Sequence, residues 1–360
     1  MRNLSLTPFI QAIMLFAGLG STIAAHAQLP RIVVDGVTAP QVFRDLNAAI
    51  LAAPANSNIT LSGGSFHVPG GFALDKPLHF VGAGMHIDST NSTGATILTA
   101  TGSDHFALTS GASGSSFTGI YFFTELYTTF SLGTGAGDQH VTGVELLRCR
   151  FEHDVRLGVV EPAASSSTFT ECIFHRGFYG NGGTTVADRC IFDWTNPTGG
   201  TIAVFQPSGL TMLNSILFGG KTDHCSNATI TNCIFTRAGA GPIWQSNNST
   251  VSNCIFSSSD IFSNCTGTAI NNITDQVPAT IFVNETDGHY QFTDDLHLAG
   301  GSPGIGAGSD GNDIGIYGTA SPYKPGGVPH VPHIRKVDIA RSTDASGNLP
   351  ATVRVAAQPN

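Results

Sequence analysis

The chain has 360 residues, of which 11% are charged, against a usual share of about 25%. Lys and Arg number 16 and Asp and Glu 25, for a formal net charge of −9. Such a balance supplies no broad basic footprint for nucleic acid. With 41% apolar residues, 43 Gly and 23 Phe, the chain is also neither disordered nor built from long helices. What remains is a globular chain with a β composition.

The N-terminus reads as an export signal. Arg2 precedes an apolar run from Phe9 to Gly20, and Ala25-His26-Ala27 gives a small-x-small cleavage pattern. The run is too short to span a bilayer, and no later segment approaches the roughly 18 apolar residues a span requires. The expectation is cleavage after Ala27, no transmembrane segment, and a protein exported to the periplasm, the cell surface or beyond. Next, Phe43, Leu46, Ala49, Ile50 and Ala53 fall at helical spacing within Gln41 to Ala53, which predicts a short helix lying over the first layer of the fold. Leu74 to Gly84 then reads as an early strand and turn.

The main signal is a repeat. FTECIF ends at Phe174, ADRCIF at Phe192, ITNCIF at Phe235 and VSNCIF at Phe256; LLRCRF ends at Phe151, and MLNSIL, ending at Leu217, is a relaxed copy. One column holds Cys149, Cys172, Cys190, Ser215, Cys233 and Cys254, extended outward to Ile120 and Ile273. The spacing averages about 22 residues, a period of stacked architectures. Alternation along a strand puts each Cys and the Phe two residues later on one face. The residue before the Cys column is Asn214, Asn232, Asn253 and Asn272, which predicts an amide ladder in a bend. Cys225, Ser246 and Cys265 form a second column. Cys225 and Cys265 are two layers apart there, roughly 9.6 Å, too far for a disulfide. The Cys residues read as small core side chains; no CxxC pair suggests zinc.

These residues resemble the right-handed parallel β-helix of the pectate-lyase-like superfamily of exported proteins, over roughly Ile59 to Gly318. The resemblance implies an all-β, right-handed parallel β-helix solenoid with an N-terminal capping helix and a C-terminal hairpin. The expected organisation is a signal at 1–27, a capping segment at 28–58, the solenoid at 59–320, and a Pro-rich linker with a hairpin at 321–360. Leu296 to Gly318 reads as the last coil; Asp310 and Asp313 in it lack the spacing of a calcium loop and read as turn residues. No cofactor is expected, and calcium has no supporting motif. Ile334 to Ala340 and Leu349 to Gln358 alternate apolar and polar residues around a turn, which predicts the hairpin.

Activity is not implied, because the superfamily's catalytic motifs are missing. Asp104-His105 and Asp223-His224 lack the flanks of the pectate lyase segment, and Asp294-Asp295 is an isolated acidic pair. Charge is nevertheless placed unevenly: seven of the 16 basic residues fall between Arg148 and Arg237, many just after the repeated strand. Equal offsets on successive coils predict a mixed polar strip along one flank. Arg156, His175, Arg176, Trp194, Lys221 and His224 are its candidate substrate-binding residues, with Tyr179 as a further sugar platform. The weak catalytic candidates are His175, Arg176 and Lys221 as bases and Asp193 and Asp223 as carboxylates, with Asp154 beside them. The partner such a strip fits is an acidic polysaccharide, bound by a non-catalytic surface. A divergent lyase or hydrolase and a structural or adhesive role are the alternatives.

Overall fold

The computed structural model describes residues 30–356, apart from 37–38, 87–93, 126, 136, 139, 160–161, 194–201, 286, 329–332 and 341. The expected export signal and Trp194 lie outside the described residues. No helix among those described is long and apolar enough to cross a membrane.

Each repeat folds into one coil of three short strands. In one coil these are Ser166–Thr170, Ile173–Phe174 and Phe178–Tyr179. Strands of successive coils pair in parallel, giving one sheet of twelve strands and two of nine. We call these the first, second and third sheets, in the order a coil visits them. The chain is thus a right-handed parallel β-helix solenoid, the handedness that crossover connections impose.

Its interior is a set of stacked columns. Phe122, Phe151, Phe174 and Phe192 pair in register along the second sheet. Their rings are stacked, 5.2, 5.2 and 4.7 Å apart, close to the strand spacing itself. The Cys column is buried, and all seven cysteines are free thiols. Burial pushes the Cys172 and Cys233 thiols well up and the Cys225 thiol up to about 12, so they are unreactive core groups. Size is not the column's only requirement. The Cys190 N–H donates to Ser215 Oγ, Ser215 N–H to Cys233 Sγ, Cys233 N–H to Cys254 Sγ, and Cys254 N–H to Asn272 Oδ1. From Ser215 to Asn272 each position thus supplies a side-chain acceptor to the coil before it, which explains why Ser215 substitutes for Cys.

That chain of bonds corrects one register. Ile273 bridges Ile255, so Asn272 occupies the Cys column and Asn271, at φ 51°, the bend before it. The bend column is left-handed throughout: Arg148, Glu171, Arg189, Asn214, Asn232 and Asn253 all have φ between 48° and 56°. Asn suits this region better than other side chains. The amide ladder is shorter than expected. Asn232 Nδ2 donates to Asn214 Oδ1 at 3.2 Å, and Asn214 Nδ2 to Asp188 Oδ1. Asn232 and Asn253 otherwise turn to a different segment, holding Ser309 and the Ala307 carbonyl.

That segment corrects a larger expectation. Leu296 to Gly318 adds no strand to the three sheets. It belongs to a strap, residues 276–328, that folds back along the outside of the second sheet. There Ile173, Ile191, Ile234 and Ile255, each between a Cys and a Phe, and Ile216, between Ser215 and Leu217, point away from the solenoid core. They form a second buried core with Ile281, Phe282, Leu296, Ile314 and Ile316. Two glycines let the strap lie flat: a Cβ on Gly315 (φ 104°) would stand 2.8 Å from Ile234 Cδ1, and one on Gly304 2.5 Å from Ile255 Cδ1. The Gly315 N–H donates to the Asn232 carbonyl. Farther along, Lys324 N–H donates to Glu171 Oε2, and Arg148 donates to both Glu171 and the Val328 carbonyl. Asp310 and Asp313 are turn residues, as expected: Asp310 accepts from Asn312, and Asp313 from the Gly306 N–H.

The N-terminal cap is shorter than the sequence spacing predicts. Its helix runs Leu46–Ala52, with Asp45 Oδ1 accepting from the Ala48 N–H as N-cap. Gln41–Phe43 is a strand instead, pairing antiparallel with Ile32–Val34 at the start of the first sheet. The expected terminal hairpin is present as His333–Ile339 and Ala351–Ala356.

Asn232 joins coil and strap from a left-handed backbone. Asn232→Ala loses all three side-chain hydrogen bonds and the favourable conformation and lowers stability by about 1–3 kcal/mol in thermal or urea unfolding. Asn232→Gly relieves the backbone term and falls between Ala and wild type. Equal stability of all three proteins would contradict this role.

Candidate functional site

The predicted strip resolves into two neighbourhoods. Arg156, Lys221, Asp223 and His224 lie on the third sheet or at its margin. His175 and Asp193 lie at the end of the second sheet, where the strap covers it.

On the third sheet, Val155, Phe178, Val204, Thr222 and Ile243 point into the core. Alternation therefore turns Arg156, Tyr179, Phe205, Asp223 and Trp244 outward in one column on successive coils. Cations and rings interleave along it. The Arg156 guanidinium carbon sits 5.1 Å from the centre of the Tyr179 ring, and Lys221 Nζ 4.1 Å from that of Trp244. Tyr179 meets Phe205 edge-on at 6.0 Å, and Phe205 meets His224 at 5.6 Å. Carboxylates fix the cations from the other side. Asp223 accepts Lys221 at 2.9 Å and His224 Nδ1 at 2.6 Å, while Asp154 lies 3.8 Å from Arg156. Burial raises the Asp154 carboxyl, against the pull of the Arg156 and Arg176 cations and of the Gly177 N–H it accepts. Arg176, half-buried in the turn before this sheet, thus shares its field. A shallow hollow of about 390 Å³, lined by Gln206, Pro207, Ser208, His224, Ser226 and Asn227, adjoins the column.

The strip is less cationic than the sequence implies, since Arg156 and Lys221 each have a carboxylate partner. Arg156, Arg176 and Lys221 against Asp154 and Asp223 still leave one positive charge in a chain of −9. Phe205 and Trp244 were not legible as platforms; counting the third strand of each coil in register would have found them.

The second neighbourhood stacks Glu152, His175 and Asp193 at equivalent positions on three successive coils, one residue past the inward Phe. Asp193, 1% exposed, accepts His175 Nδ1 at 3.2 Å through one oxygen and His289 Nδ1 at 3.0 Å through the other. His289 comes from the strap, where buried Glu285 accepts the Asp287 and Gly288 N–H groups and shapes the turn that presents it. No repeat or motif in the sequence points to His289. Beside this group Tyr121 donates to Glu152 at 2.6 Å, Arg150 lies over the Tyr121 ring, and His86 packs on Phe292. Burial raises the Glu152 carboxyl, but the Tyr121 hydroxyl with the His175 and Arg150 charges outweighs it and holds it low overall. Among the described residues no group of three or more His, Cys, Asp and Glu can hold a metal ion. Asp294 and Asp295 cap turns, accepting from the Gln291 and His297 N–H groups.

Residues 133–294 match the family model for the right handed beta helix region. No curated protein matches the sequence. Among solved structures, ORF18 of Geobacillus virus E2 is similar at a TM-score of 0.40 and 12% identity, over 63% of this chain and 57% of that one. The present chain thus spans just over half the length of that protein.

His86 yields a prediction. Burial, then the Arg150 and His175 charges, lower its pKa from 6.5 to about 4. The unfolded chain therefore takes up a proton that the folded chain refuses between those values, so stability falls as pH drops from 6.5 to 4, by about 2 kcal/mol. Urea unfolding across this window should show a flatter slope for His86→Asn than for wild type. Parallel slopes would contradict it.

Proposed function

We propose that the protein binds an extended acidic polysaccharide along the outer face of its third sheet, without cleaving it. The observation that carries this reading is the cation-and-ring column: Arg156 over Tyr179, Phe205 next, and Lys221 held between Asp223 and Trp244. A long flexible cation normally loses rotamer freedom on binding. Here ring and carboxylate have already restricted it, so a uronate carboxylate meets ordered donors. Tyr179, Phe205 and Trp244, half-buried along the column, offer apolar surface to a sugar chain, and the net positive charge of the column favours a polyanion over a neutral chain.

Affinity electrophoresis in gels containing polygalacturonate, alginate or a neutral glucan tests this. Retardation is expected in the acidic gels and weakens with salt, because exposed charges are screened over about 8–10 Å at physiological ionic strength. Trp244→Ala and Lys221→Ala should each weaken binding at least about tenfold, a loss of about 1.4 kcal/mol. No retardation by any polymer would overturn the proposal and favour an adhesive or structural role. A second reading, turnover of the same polymer, draws on the Asp193 carboxylate set between two imidazoles. New reducing ends or unsaturated products, lost in His175→Ala, would replace binding with catalysis.

A further inference from the structure

The two ends of the solenoid are finished differently. At the N-terminal end the helix Leu46–Ala52 buries Leu46, Ala49 and Ile50 over the first coil. The edge strand there, Gln41–Phe43, is preceded by Pro40 and followed by Arg44 and Asp45, residues that discourage pairing with another chain. At the other end Gly267–Ile270 is the last strand of the first sheet and Phe262–Ser263 the last of the third, each with one unpaired edge. All four residues of Gly267–Ile270 are exposed, Ile270 by 44%. Ala269 and Gly267 continue the inward positions of Val251 and Ser249, which are 0% exposed one coil earlier. Ile261, Phe262 and Cys265 are likewise only half-buried.

Nothing else in the described chain covers this end. Charge favours a self-contact: from Ile261 to Thr274 there is no Asp, Glu, Lys, Arg or His. In a chain of −9, this run, bounded by the exposed Asp260 and Asp275, keeps like charges to its two edges when two copies meet. Because the opposite end is capped and flanked by charge, a head-to-tail fibre has no matching surface.

We propose that two copies of the chain associate tail to tail across a two-fold axis. Strand Gly267–Ile270 of one copy runs antiparallel to the same strand of the other. The contact is isologous and closes at the dimer. It satisfies the exposed N–H and C=O groups of the last strand and removes Phe262, Ala269 and Ile270 from water.

Sedimentation velocity of the intact chain over a range of concentrations should show a monomer–dimer equilibrium. Thr268→Lys and Ile270→Lys, both at exposed positions, should give monomer with an unchanged circular dichroism spectrum and melting temperature. Val42→Lys on the capped end should leave the dimer intact. In wild type, amide hydrogen exchange at residues 267–270 should slow at least about tenfold from the dilute to the concentrated sample. This readout does not depend on any variant folding. A wild type that stays monomeric, a dimer that survives both end substitutions, or exchange independent of concentration would overturn the proposal. So would a dimer broken only by Val42→Lys.

Discussion

From Ile173 to Ile255 the second sheet is buried on both faces, and the rest of the molecule follows from that constraint. In each Cys-Ile-Phe triplet, Cys and Phe fill the solenoid while Ile faces the strap. A parallel sheet with both faces covered reads as a near-continuous apolar run, which is what the triplets are. Without the strap, five isoleucines in register would form an apolar stripe on the surface of an otherwise polar flank. With it, the chain gains a second core and the means to order loops far apart in sequence.

The strap also decides where chemistry can sit. By covering the second sheet it leaves the outer face of the third sheet as the place where rings and charges from successive coils stand together in contact with water. It closes over His175 and Asp193 and adds His289, so these groups form a latch between strap and solenoid. The charged bend residues serve the same join. Arg148, Glu171 and Arg189 stand where the later coils have Asn, and Glu171 takes both guanidinium groups and the Lys324 N–H. Truncating one member of such a buried set is expected to cost far more than the set contributes over apolar replacements.

Most of the fold was legible because it is periodic. The Cys and Phe columns announce stacked parallel strands, and the bend residues before them mark a left-handed turn. The Ile between Cys and Phe was equally visible, but its outward direction has meaning only once something covers it. The glycines of Leu296 to Gly318 fit a tight coil or a flat strap equally well in sequence; the close approach of Gly315 and Gly304 to Ile234 and Ile255 separates the two. The polar strip was legible as a cluster and not as two places. His175 follows the second strand of its coil and Arg156 belongs to the third, a difference of a few residues that moves a side chain around a corner. Phe205 and Trp244 carry no repeat signature, and His289 reaches Asp193 from 96 positions away.

The claim that the outward isoleucines are core is tested most directly by Ile234→Ala in equilibrium urea unfolding. Ile234 is 0% exposed beneath the strap at Gly315. The account predicts a loss of about 2–5 kcal/mol, as for any buried Ile. A change within about 0.5 kcal/mol of wild type, the usual effect of a surface substitution, would show that the strap does not cover that face in solution and would contradict the account.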